Sequence, residues 1–159
     1  MTVLQLRDEN VIQTLNRAAS GLLNPEPLAA ALERVLVSQS LQNFHANGRP
    51  AWAGLSPVTL AIYRRQGIIP QGILQRSAGG LRDSVQSDHD ATSATVGAGS
   101  GKSADYAAIH QFGGMAGPGK KVRIPARPYL PMDDAGFLQP EAETAVEYTA
   151  QYFLSHLFD

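Results

Sequence analysis

The residues most suggestive of chemistry are Val96-Gly-Ala-Gly-Ser-Gly-Lys-Ser103, a glycine-rich run ending in lysine and serine between an expected strand and an expected helix. A phosphate-binding loop has that setting, because successive backbone amides and a helix N-terminus can wrap the anion. It also needs a glycine five residues before its Gly-Lys-Ser, and here that position is Val96. No apolar strand ending in an acid is available to hold magnesium. The run is therefore read as a loop, and no nucleotide or other cofactor is expected. His45, His89, His110 and His156 lack the close spacing that brings imidazoles to one helix face, and cysteine is absent, so no metal site is expected. Asp88-x-Asp90 begins like a calcium loop but lacks its later glycine and glutamate, which leaves turn chemistry. Asp133-Asp134 are adjacent, so their side chains diverge, and no serine sits in a Gly-x-Ser-x-Gly elbow. No reaction follows from these residues, and the chain is not expected to be an enzyme.

Binding chemistry is better represented. Arg64-Arg65, Lys120-Lys121, Arg123 and Arg127 could form a basic patch, without the interleaved aromatics that stack on bases. Lys120, Lys121 and Arg123 are candidates for non-specific contact with DNA or with a neighbouring subunit, or they are simply a solvated loop. The net charge of −1 conceals a segregation. Residues 49–127 carry ten basic against four acidic side chains, a net of +6, whereas 128–159 carry six acids and no base. Such a division can be satisfied within one fold or between neighbouring copies.

The elements that must position these groups read as α+β. Asp8 to Ser20 has apolar residues at helical spacing, and Pro27 to Ala46 gives a longer helix with Leu28, Ala31, Leu32, Val35, Leu36, Leu41 and Phe44 inward. Trp52 follows in a loop, either as a plug over the core or as an interface anchor. Ser56 and Pro57 start a short helix to Gln66. Residues 68–85 read as an apolar turn and then a helical segment with Leu74, Leu81 and Val85 inward. Residues 84–89 and 92–98 form a hairpin, 105–112 a short helix closed by Gly113-Gly114, and 120–125 an exposed strand stiffened by the prolines after it. Pro140 opens a C-terminal helix with Ala142, Val146, Thr149, Phe153 and Leu157 inward. The 159 residues suit one domain: helical over 1–82, sheet and connecting helix over 83–131, C-terminal helix over 139–158. One small, mainly antiparallel sheet, built from the hairpin and the 120–125 strand, would pack on the long helices. The polar N-terminus is neither signal peptide nor membrane span, so a soluble chain made in a reducing cytoplasm is expected.

Four segments in order carry a resemblance: Ile73 to Ser84 (ILQRSAGGLRDS), Val96-Gly97, Tyr106 to Gly114 (YAAIHQFGG) and Ile124 to Leu130 (IPARPYL), preceded by Gly48-Arg-Pro-Ala-Trp52. Over roughly residues 44–131 the chain resembles the phage virion morphogenesis, or tail-completion, family of Mu-like phages and prophages. One departure is Ser77-Ala-Gly-Gly-Leu81, a residue longer than the usual spacing. The resemblance implies a structural subunit that joins or completes the tail at the head-to-tail junction. It would assemble in the host cytoplasm, act as a homo-oligomeric ring around the DNA channel, and have connector and tail proteins as partners. A different class, a small DNA-binding or nucleotide-using accessory protein, is the alternative. Trp52, Tyr106, His110, Phe112, Gly113, Gly114, Arg127, Pro128 and Tyr129 are candidate subunit contacts, though Tyr106, Phe112 and Tyr129 could equally fill the core. Arg127, stiffened between prolines, would fork onto a carboxylate of Asp133, Asp134 or the next subunit.

Overall fold

The long helix expected after Pro25 is the spine of the molecule. The computed structural model describes residues 9–76, 80–100, 103–133 and 135–157. In it α1 (Glu9–Leu23) is followed by α2 (Glu26–Ala46), whose last turn is closed by Asn47 in the left-handed conformation. α5 (Pro140–Ser155) packs along α2, and so does the hairpin of β1 (Gln86–His89) and β2 (Ala94–Gly97). The hairpin turn is held by Asp90, whose carboxylate accepts from the backbone N–H groups of Thr92 (2.7 Å) and Ser93 (2.8 Å), which is turn chemistry and not a calcium loop. Those hydrogen bonds, Thr92 first, lower the Asp90 pKa. α3 (Pro57–Arg65) starts as expected, with Ser56 Oγ accepting from Thr59 N at 3.1 Å.

Three expectations need correction. The helical segment expected to follow the apolar turn in 68–85 is not seen: Leu74 adopts φ +63, Gly72 bridges Gln75, and among the described residues helical backbone is confined to one 3₁₀ turn, Arg82–Ser84. Leu81, Leu74 and Val85 nevertheless face the core as predicted. The tertiary environment overrides a weak propensity here, because Asn47 Oδ1 accepts from Ile73 N (2.7 Å) and Gln75 donates to Phe44 O (2.8 Å), drawing the segment onto the end of α2. The longer spacing at Ser77-Ala78-Gly79 lies outside the described residues.

The second correction concerns the sheet. The strand at Val122–Ile124 (β4) does not join the 86–97 hairpin; it pairs antiparallel with β3 (Gly114–Ala116), a stretch expected to be loop, so the structure has two separate two-stranded ribbons. α4 (Ala104–Phe112) ends at Gly113, with φ +73, and the chain doubles back there. Any Cβ at Gly113 would press on the backbone of Ala126 and Ile124. Pairing with the adjacent segment closes a far shorter loop than pairing with the distant hairpin.

The third lies on α2. Leu41 faces outward at 37% exposure, while the buried C-terminal half presents Gln39, Ser40 and Asn43 beside Phe44. The reason for polar groups there emerges from the segment they face. The core gathers Phe44, Trp52, Leu81, Ala107 and Tyr129. Trp52 stands edge-on to Phe44 (5.9 Å between ring centroids), and Tyr129 stacks on its other side (5.4 Å).

Candidate functional site

The resembling segments converge on the extended stretch 125–131. Its prolines and buried position deny it a strand partner, so its backbone groups must find other hydrogen bonds or remain unsatisfied at a cost of about 1–3 kcal/mol each. Side chains supply them. Gln111, 3% exposed on α4, accepts from both Tyr129 N and Leu130 N (3.0 Å each) through Oε1 and donates through Nε2 to Met132 O (3.0 Å). Asn43 Nδ2 donates to Gln139 Oε1 (2.8 Å) and Tyr129 O (3.3 Å), and its Oδ1 accepts from Arg49 Nε (2.8 Å). Arg49 Nη2 also reaches the carbonyl and side-chain oxygens of Gln39. Trp52 Nε1 donates to Pro128 O (3.2 Å), and Arg127 N donates to His110 O (2.7 Å).

Arg127 is 6% exposed, and its partners are not the expected carboxylates. Nε donates to Ala53 O and Nη2 to Gly54 O, both at 2.9 Å, so the guanidinium clamps the 124–131 segment to the Trp52 loop of the same chain. Removal from water lowers its pKa, as expected for a buried cation. Asp133 instead holds its own loop, accepting from Ala135 N and Phe137 N; Asp134 lies outside the described residues. Tyr129 donates its hydroxyl to Ala107 O (3.1 Å), and burial pushes its pKa up to about 12, so the phenol stays protonated. Tyr106 meets His110 edge-on at 5.8 Å. Burial, and then the Arg127 charge, lower the His110 pKa, and its Nδ1 has no hydrogen-bond partner.

The candidate contacts thus divide. Trp52, Arg127 and Tyr129 are buried within one chain, Pro128 and His110 are partly covered, and Tyr106 packs against the core. Phe112 is exposed at the end of α4, and the β3–β4 ribbon beyond Gly113 and Gly114 carries exposed Met115, Lys120, Lys121, Val122 and Arg123. The residues that unify the site, Asn43, Gln111, Gln39 and Arg49, were not singled out from sequence. The available signal was Gln39 and Asn43 four residues apart beside Phe44, on the face of α2 that Leu28 and Ala31 lead into. Also missed was Glu33 on α2, which accepts from Ser87 Oγ and faces His89 Nδ1, pinning the hairpin to the helix. The Ser87 hydrogen bond, then that to His89, lowers the Glu33 pKa. Ser87 bonds the carboxylate and not the imidazole, so these three do not form a nucleophile–base pair.

The glycine-rich run is committed internally too. Gly99 N donates to Ser84 Oγ (3.0 Å), and Ser103 Oγ donates to Ser100 O (2.7 Å); Gly101 and Lys102 are outside the described residues. Among the described residues no group of three or more His, Asp or Glu side chains could hold a metal ion, and no helix is long and apolar enough to cross a membrane.

The fold is helix-framed α+β, and the side chains around residues 125–131 are spent on hydrogen bonds within the chain. Residues 6–153 match the Phage virion morphogenesis family, and the chain belongs to it. It is 36% identical over 134 residues to the Mu-like prophage FluMu G protein 2 of Haemophilus influenzae, covering 82% of this chain and 86% of that protein. It is also 32% identical over 117 residues to the putative capsid assembly protein G of Escherichia phage Mu, covering 70% of this chain and 69% of that one. No solved structure matches the chain. Membership in the family assigns it a role in phage structure or assembly.

Proposed function

We propose that the chain is a non-enzymatic subunit that completes or joins the tail at the head-to-tail junction. It acts as a ring of copies around the DNA channel and contacts connector and tail proteins. One observation carries this reading: the segments by which the chain resembles its family are spent on an internal lattice of hydrogen bonds around residues 125–131, with Arg127, Gln111 and Asn43 all satisfied within the chain. A lattice of that kind preserves a shape, which is what an assembly subunit must present to its neighbours. Against the nucleotide-using alternative stands the bonding of Gly99 N and Ser103 Oγ within the chain. Particles produced without this protein test the proposal. Separate filled heads and full-length tails in electron micrographs are the expected result, and normal infectious virions would end it.

A further inference from the structure

Among the described residues no ion pair joins the basic middle segment to the acidic C-terminal segment. The ion pair seen there is that of His89 with Glu33, which lies between the hairpin and α2. Lys120, Lys121 and Arg123 on the β3–β4 ribbon are exposed and have no ion-pair partner among the described residues, and neither do Glu141, Glu143 and Glu147 on α5. α5 buries Ala142 and turns Val146 and Phe153 partly inward, as it packs on α2. At 100° per residue Glu141, Tyr148 and Tyr152 then fall together on one flank of its outward face, and Glu147 lies about 100° further round it. The two tyrosines stack on each other at 6.4 Å and are 68% and 55% exposed. The ribbon sets exposed Met115 (50%) beside Arg123 on one face, and exposed Val122 (54%) on the other. One surface is acidic and aromatic, the other basic and apolar, and each lacks a partner of the complementary kind.

We infer that the outward face of α5 docks onto the β3–β4 ribbon of a second copy of the chain. This rests on the ring proposed above and supplies its contact. The two surfaces are different patches of one molecule, so the contact is head-to-tail and repeats from copy to copy, closing a ring when the rotation allows. Tyr148 and Tyr152 would lie against Met115 at the centre, with Glu141 facing Arg123, Lys120 and Lys121 beside them and Glu147 at the edge of the contact. Lys and Glu pairs at such a rim set orientation and encounter rate, and they weaken as salt is raised.

The test measures the mass of the purified full chain by light scattering across a concentration series. The variants are E141K/E147K, K120E/R123E and the combination of all four changes, with circular dichroism melts to show that each is folded. All four positions are exposed, so folding should survive. Each charge-reversed pair should raise the concentration needed for assembly on the order of tenfold, and the combined variant should return towards wild type because complementarity is restored with its sign exchanged. Wild-type assembly matched by both reversed pairs would overturn the docking while leaving the ring standing. A wild-type chain that stays monomeric at every concentration would count against the ring itself. If K120E/R123E assembles normally but no longer retains DNA at low salt, the ribbon faces nucleic acid and the inference is wrong.

Discussion

Replacing Arg127 with alanine separates its two roles, clamp within a chain and contact between chains. The guanidinium makes two hydrogen bonds of 2.9 Å to the carbonyls of Ala53 and Gly54. Bonds from a charged donor each contribute about 1.5–3 kcal/mol net, which would sum to about 3–6 kcal/mol. Ala53 and Gly54 are exposed, so water takes over both carbonyls in the variant, and the loss should be nearer 2–4 kcal/mol. For a chain of this size that corresponds to a fall in Tm of about 5–15 °C. Arg127→Lys should lose roughly half as much, because one ammonium cannot match two carbonyls served from different guanidinium nitrogens. Thermal unfolding followed by circular dichroism reads this directly, with light-scattering mass recorded on the same samples below the transition. A variant that melts within about 1 °C of wild type would refute the clamp. If its oligomer mass fell at the same time, Arg127 would belong to the contact between copies instead.

Three further changes probe other parts of the lattice. Asn43→Leu keeps the branched heavy-atom skeleton but strips partners from Arg49, Gln139 and Tyr129 O at a fully buried position, and should cost about 3–5 kcal/mol in urea unfolding; a loss below about 1 kcal/mol would mean the lattice adds little. Gly48→Ala places a Cβ against the Trp52 indole at φ +101, and should cost about 2–4 kcal/mol and red-shift the Trp52 emission as the ring is displaced; an unchanged spectrum would count against that packing. His110 has a folded pKa below its ordinary 6.5, so below that pH the unfolded chain binds more protons than the folded one. Its contribution to stability should therefore be level above about pH 6.5 and fall as pH drops from there towards the folded pKa, and His110→Gln should flatten that slope in unfolding midpoints taken from about pH 8 to about pH 5. Glu33 acts in a separate window: its lowered pKa favours folding above its ordinary value of 4.5 and loses effect as pH falls through the folded value.

Much of this molecule is written locally. The helices at 26–46, 57–65, 104–112 and 140–155 follow from caps, prolines and 3.6-residue spacing, signals a single sequence contains in full. The α5 stripe of Ala142, Val146, Thr149, Phe153 and Leu157 and the hairpin turn at Asp90 are of the same kind. So is the Phage virion morphogenesis family, because its motifs keep their order along the chain. What the sequence could not disclose lies in pairings between distant residues. Arg127 and the 53–54 carbonyls, Asn43 and Gln139, and Gln111 and residues 129–132 meet only because the whole chain has folded. A backbone carbonyl leaves no trace in the residue that carries it, so nothing in the sequence distinguishes a guanidinium bound for Gly54 O from one bound for a carboxylate. The same holds for the ribbon at 114–124 and for the charges of α5. Residue type alone made Lys120 and Glu141 basic and acidic, but only the tertiary structure left both on the surface with no ion pair among the described residues.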